Sequence, residues 1–247
     1  MGRLDGKVAI VTGGSRGIGR AVALAFAAEG ADVAITGAQD QEALDNVKAE
    51  IEALERRAIA SIADVSHRAE IDNFIAAVAD RWGRTDILVN NAGVIRMTPL
   101  EDISEEQWDR TIAVHLKGTF NCTQAVIPIM KRGSGGKIIN VAAPSALRGS
   151  SGVSDYAAAK GGIIAFTLNA ANELAPYNIQ VNCISPVART RMTDELIAYR
   201  QRHANEPSGS LTRGGTIEPE ATTPPFVFFA SSESDLITGQ TLALHRR

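Results

Sequence analysis

VAIVTGGSRGIG, residues 8–19, begins with five residues suited to a strand and ends in glycines placed to turn the chain into a helix. Apolar residues recur at three- and four-residue spacing from 17 to 29, ahead of Gly30, which ends such a helix well. Glycines at 13, 17 and 19 let the backbone approach a phosphate closely, and a helix start offers free N–H groups and positive potential. Counted from Gly13 the spacing is G-x-x-x-G-x-G, not G-x-G-x-x-G, and one glycine-rich turn is weak evidence by itself. Its weight comes from the rest of the chain.

Strand-like runs recur at 7–12, 32–36, 58–62, 86–90, 137–141 and 179–184. Helical patterns lie between them at 17–29, 40–56, 67–82, 104–130 and 153–175, with Ser104 and Gln107 spaced as a capping box. This alternation predicts an α/β fold, a doubly wound parallel sheet with helices on both faces. Such sheets bind ligands beyond the carboxyl ends of their strands. No repeat or linker divides the chain, so residues 1–247 are expected to form a single dinucleotide-binding catalytic domain. The irregular stretch 186–216 follows a strand's carboxyl end and is expected to be a substrate lid.

Composition narrows the function. Of 247 residues 45% are hydrophobic, enough for a substantial core, and the net charge of -3 argues against nucleic acid as a partner. No apolar stretch is long enough to span a bilayer, and no basic run addresses an anionic membrane. Cys122 and Cys183 have no metal-type spacing and fit buried free thiols in a reducing, cytoplasmic setting. Four scattered histidines argue against a zinc site. No metal is expected.

The end of the second strand bears on the cofactor. An acid there would bond the adenosine ribose hydroxyls and repel a 2′-phosphate. The sequence has Thr36-Gly37-Ala38 instead, and Arg16 in the glycine turn is placed to face a phosphate. NADP(H) is therefore expected over NAD(H), which stays open. Further on, Tyr156 and Lys160 stand four apart in a helical pattern and share a face. A neighbouring ammonium favours phenolate, so the tyrosine pKa is expected to fall towards the working pH, where a general acid/base performs best.

With TGGSRGIG at 12–19, Asp64-Val65, NNAG at 90–93 and Tyr156-x-x-x-Lys160, the chain resembles the short-chain dehydrogenase/reductase family, of the carbonyl reductase and 3-oxoacyl-carrier-protein reductase type. The resemblance spans essentially the whole chain. It implies one Rossmann-type domain with a seven-stranded parallel sheet, in a homotetramer. It also implies that Gly13, Ser15, Arg16, Gly17, Ile18 and Gly19 hold the pyrophosphate side of the cofactor, with Ala38 at the adenosine ribose. Asp64 and Val65 would flank the adenine, and Asn91, Ala92 and Gly93 would lie near the nicotinamide ribose. Pro186, Val187, Arg189 and Thr190 would approach the carboxamide. Tyr156 would exchange a proton with the substrate oxygen, and Lys160 would grip the ribose.

Two members of the family's four-residue active site are replaced. The serine expected thirteen residues before the tyrosine is Ala143, and the asparagine of the helix segment at 114–120 is His115. Histidine is expected to keep the relay, since it can donate, accept and ferry protons near neutral pH. Alanine can do none of this, and losing one such donor commonly costs about 10²–10³ in rate. Three accounts of Ala143 stand open: Ser145 supplies a displaced hydroxyl, the natural protein carries serine at 143, or the protein has drifted from redox work. The segment at 185–190 and the end of the chain, which lacks the usual Asp-Gly-Gly, also depart from the pattern.

The expected activity is interconversion of a ketone and a secondary alcohol with NADP(H). The substrate edge is expected to include Ala143, Ser145, Val94, Ile95 and Met97, facing Met192, Leu196 and Tyr199 of the lid, which favours an apolar or cyclic substrate. The rival expectations are a cofactor-binding protein with weak or no turnover, and a non-redox lyase or isomerase on the same fold.

Overall fold

The computed structural model describes residues 2–202 and 217–244. In it the opening segment is β1 (Val8–Thr12), every residue of which is buried. Such a strand needs side chains acceptable on both faces, and its β-branched residues pack well on a pleated surface. The glycine turn feeds α1 (Gly17–Ala28), after which Gly30 takes φ +97°, the left-handed stop expected of it. The unit then repeats through β2 (Asp32–Gly37), α2 (Gln41–Ala53), β3 (Ala58–Ile62), α3 (Arg68–Trp82) and β4 (Ile87–Asn90).

The helical pattern expected over 104–130 is one run in three parts: α4 (Glu105–Ile112), a π turn (Ala113–Lys117) and α5 (Gly118–Arg132). Ser104 caps it by accepting the Gln107 N–H, but the Gln107 side chain turns elsewhere, so the capping box is half made. Next come β5 (Gly136–Val141), the short α6 (Pro144–Arg148), α7 (Ser154–Leu174) and β6 (Ile179–Ser185). The stretch expected to be an irregular lid contains α8 (Arg191–Arg202), and its residues 203–216 lie outside the described residues. The helical signal there is Met192, Leu196 and Tyr199, spaced four and three apart. The chain continues into α9 (Pro224–Ala230) and β7 (Thr241–Ala243), with 245–247 again outside the described residues.

All seven strands are parallel, in the order β3-β2-β1-β4-β5-β6-β7. This is the Rossmann-type doubly wound sheet. Alternate residues serve opposite layers. Ala9 and Val11 join Phe26, Leu44, Ile51 and Phe226 on one face, while Val8 and Ile10 join Phe74, Val126, Met130 and Leu174 on the other. Truncating a core phenylalanine such as Phe26 to alanine costs roughly 3–5 kcal/mol. Strand order reverses between β1 and β4, so the chain leaves these two neighbours in opposite directions and a crevice opens beyond their carboxyl ends. No helix among the described residues is long and apolar enough to cross a membrane.

Candidate active site

The glycine turn sits in that crevice. Gly13 has φ +65°, and a Cβ on it would lie 2.9 Å from the Ala92 Cα. A Cβ on Gly19 would overlap the Gly13 carbonyl, so the turn closes on itself as well as on the end of β4. Asn91 fastens it by donating from Nδ2 to the carbonyls of Thr12, at 3.0 Å, and Gly13, at 3.2 Å. Thr12 Oγ1 in turn accepts the backbone N–H groups of Asn91 and Ala92, each at 3.0 Å. The N-terminus of α1 carries no side-chain cap and no acid in its first turn, leaving its amides to an anion. A dinucleotide's phosphates fit this cradle. Ser15 lies beside Gly37 at the end of β2, Ile18 packs on the core, and Thr190 approaches Gly17 from the far side of the crevice.

At the end of β3, where the adenine is expected, Asp64 is already engaged. Its Oδ1 accepts the backbone N–H and hydroxyl of Ser66, and its Oδ2 accepts from Arg110 at 2.7 Å. Burial alone would raise this carboxyl, but the Arg110 and Ser66 hydrogen bonds and the Arg110 charge outweigh it and hold the pKa below the usual range. Val65 is buried against Gly118, and Ala38 is exposed. Arg16 faces Asp40 at 3.3 Å, both roughly half exposed. Asp40 also caps α2 by accepting the Ala43 N–H. The strand end lacks an acid, as its sequence says, yet the fold brings one to the same arginine from the next helix.

On the other side of the crevice the three side chains expected to be catalytic meet. Lys160 is buried, donates from Nζ to the Val141 carbonyl at 2.6 Å, and lies 5.7 Å from the Tyr156 ring. Tyr156 packs edge-on against His115, ring centroids 5.0 Å apart. Burial pushes the Tyr156 phenol up to about 12 and the Lys160 ammonium down to about 8. The expected lowering of the tyrosine is therefore absent in the protein alone: desolvation opposes the charged form of both groups. Tyr156 keeps its proton.

His115 is 1% exposed, in the π turn. Burial, then the Lys160 charge, lower its pKa to about 3 against the opposing bond to Val94, so it stays neutral. Burial thus favours the neutral ring, which can still donate and accept hydrogen bonds. Its Nε2 lies 2.6 Å from the Val94 carbonyl and 3.1 Å from the Val94 N–H, while Nδ1 is buried with no partner among the described residues. The shorter contact favours a proton on Nε2. A Cβ on Gly93 would overlap the imidazole, so this glycine makes room for the ring.

Ala143 is buried in extended backbone at the end of β5, and Pro144 starts α6 directly after it. Ser145 Oγ is buried without a partner among the described residues, as is Ser185 Oγ at the end of β6. Val94 packs on the core, and Tyr199 of α8 lies against Gly152. Pro186 is buried and Val187 half-buried, whereas Arg189 is exposed and faces Asp194 at 3.9 Å. Cys122 and Cys183 are buried free thiols, raised by burial to about 12 and about 11. Sequence reasoning missed Asp40, Arg110, Gln107, Thr111 and Asp155. Only the helix-start pattern around 40 and 104 marked any of them.

The short chain dehydrogenase family matches residues 7–201. The chain belongs to that family. It is 40% identical to the 3-oxoacyl-(acyl-carrier-protein) reductase FabG of Thermotoga maritima, over 98% of this chain and 97% of the relative. It is 38% identical to sorbitol dehydrogenase of Cereibacter sphaeroides, over 97% and 96%. The structure of carveol dehydrogenase from Mycobacterium avium in complex with NAD superimposes with a TM-score of 0.89 at 26% identity, covering 99% of this chain and 98% of that one. As a short-chain dehydrogenase the chain is an NAD(P)-dependent oxidoreductase acting between CH–OH and C=O groups. These relatives are oxidoreductases by name, so the non-redox rival gains no support from them.

Proposed function

We propose that this short-chain dehydrogenase is an NADP(H)-preferring reductase that interconverts a ketone and a secondary alcohol, with Tyr156 as acid/base. The carrying observation is the convergence of Tyr156, Lys160 and His115 beside a glycine cradle at the β1–β4 crevice. A nicotinamide dinucleotide bound there supplies or takes up the hydride. Gly13, Ser15, Arg16, Gly17, Ile18 and Gly19 would hold its phosphates, Asp64 and Val65 its adenine end, and Asn91, Ala92 and Gly93 its nicotinamide end. Lys160 keeps N–H donors beyond its bond to Val141 for the ribose. Tyr156, kept protonated by burial, is poised to donate to a carbonyl oxygen, which supports reduction. Arg16 supports NADP(H): its exposed pair with Asp40 is of the kind worth little, about 0–1 kcal/mol, and a 2′-phosphate would displace it.

Relatives named as 3-oxoacyl reductases support a 3-oxoacyl thioester as first substrate to try, and Ser145, whose buried hydroxyl has no partner among the described residues, is the group proposed to compensate for Ala143. The chain is proposed to act as one domain over 1–247, as a homotetramer in the cytoplasm; buried reduced thiols suit that compartment. The test is NADPH consumption with acetoacetyl-CoA and a panel of cyclic and linear ketones, for this chain and Ala143→Ser in parallel. Serine should raise kcat by about 10-fold or more, and NADPH should bind more tightly than NADH. Binding of NADPH without consumption in either protein would overturn the reading of these ketones and thioesters as its substrates, and tighter NADH binding would overturn the cofactor preference.

A further inference from the structure

Hydrogen-bond donors from two helices converge on a buried carboxyl beside the proposed acid. Asp155 is 1% exposed and stands in the first turn of α7, immediately before Tyr156. Its Oδ1 accepts the Tyr156 backbone N–H at 2.8 Å. Its Oδ2 accepts from Gln107 Nε2 at 3.0 Å and from Thr111 Oγ1 at 2.9 Å, both on α4. Val153, the residue before α7, gives no side-chain cap, so Asp155 satisfies an end amide that the helix itself leaves unpaired.

Gln107 carries the linkage further. Its Oε1 accepts from Thr98 Oγ1 at 2.9 Å, and the Thr98 N–H donates to the Gly152 carbonyl at 3.0 Å. The carboxyl oxygens accept throughout, so the chain of bonds has one polarity, running from Thr98 through Gln107 to Asp155. The loop after β4 is thus held twice, at Val94 by His115 and at Thr98 by Gln107. Both holders lie on the α4–π-turn run.

We infer that Asp155 is a positioning residue for Tyr156, fixing the first turn of α7 against α4 and the loop after β4 so that the phenol and the substrate wall keep one geometry. The inference rests on the reading of Tyr156 as the proton-exchanging group. Rate depends steeply on such placement, with a 1 Å error costing about 10²-fold. Asparagine at 155 can keep the network by reversing it: its amide donates to a flipped Gln107, whose amide then donates to the Thr98 hydroxyl. Alanine cannot.

The experiment compares Asp155→Ala, Asp155→Asn, Gln107→Leu and Tyr156→Phe with the unaltered chain. Each is assayed with NADPH and acetoacetyl-CoA at a temperature where circular dichroism shows it folded. NADPH Kd and amide hydrogen exchange over the first turn of α7 are measured in parallel. Asp155→Ala should lower kcat by roughly 10-fold or more with NADPH Kd unchanged, and Asp155→Asn should keep most of the activity. Gln107→Leu, which leaves the carboxyl in place, should show a smaller fall in kcat and faster exchange in that turn. If Tyr156→Phe remains active, the reading of Tyr156 fails, whatever Asp155 does. If Tyr156→Phe is inactive while Asp155→Ala keeps its kcat, or if Asp155→Asn is as impaired as alanine, the positioning inference falls. Should Asp155→Ala not fold, or should acetoacetyl-CoA not be turned over, Gln107→Leu decides by exchange, and unchanged protection there overturns the inference.

Discussion

His115 is a titratable ring stored in its neutral form. An unfolded histidine titrates near 6.5, whereas burial holds this one at about 3. Between those values the unfolded chain takes up a proton that the folded chain refuses. The ring's contribution to stability is therefore complete above the unfolded pKa and is lost as the pH falls through the window from 6.5 towards 3. His115→Asn should flatten this acid limb, by an amount on the order of a few kcal/mol across the window. Thermal unfolding of the two proteins from pH 7.5 to 4.5 measures it, and parallel slopes would show that the ring titrates normally. Gly93 is coupled to the same ring. With the imidazole in place Gly93→Ala would be overpacked, costing about 1–3 kcal/mol, and the loss should be smaller in a His115→Asn background.

The glycine turn shows how little slack an element can have. Gly19→Ala would push a methyl into the Gly13 carbonyl, with the Asn91 amide close behind. It should destabilise the protein by about 1–3 kcal/mol and weaken NADPH binding; a melting curve and a fluorescence titration read the two effects. Such elements were legible because their residues are local: the β1 run, the glycines and the strand–helix alternation lie close together in the sequence. The six strands expected from their patterns match the sheet, and the seventh came from the family resemblance rather than from its three residues. What was not legible is long-range. Nothing near Asp40 announces Arg16, and Asp155 meets Gln107 only after folding across 48 positions. The tyrosine pKa failed for the same reason: a sequence shows which charge stands four residues away but not how much solvent the fold removes. The α8 helix was missed despite its apolar spacing, because the Pro-Gly-Ser stretch beyond it dominated the composition.

The molecule as a whole has two unlike edges. At the carboxyl ends of the strands lie the glycines, the amides of α1 and the convergent side chains. At the amino ends a cavity of about 230 Å³ includes Lys7, Arg84, Lys137 and Asp235 in its lining, and two of its cations are already neutralised, Arg84 by Asp86 and Lys137 by Asp235. That cavity lies at the other end of the strands from the glycine turn and Tyr156. Beyond the single chain, Phe120 on α5 and Leu168 on α7 leave large apolar side chains exposed. Sedimentation should give four times the 26.2 kDa of one chain, and a monomer would refute the tetramer. The strand order also bears on how the protein is made. β1 is made before its second neighbour, β4, which emerges some 75 residues later. Until then the nascent chain holds the half-sheet β3-β2-β1, one of whose two open borders is its most apolar strand, β1, a template for pairing with other chains. The first segment to encode the fold is thus also the one that most needs shelter during synthesis.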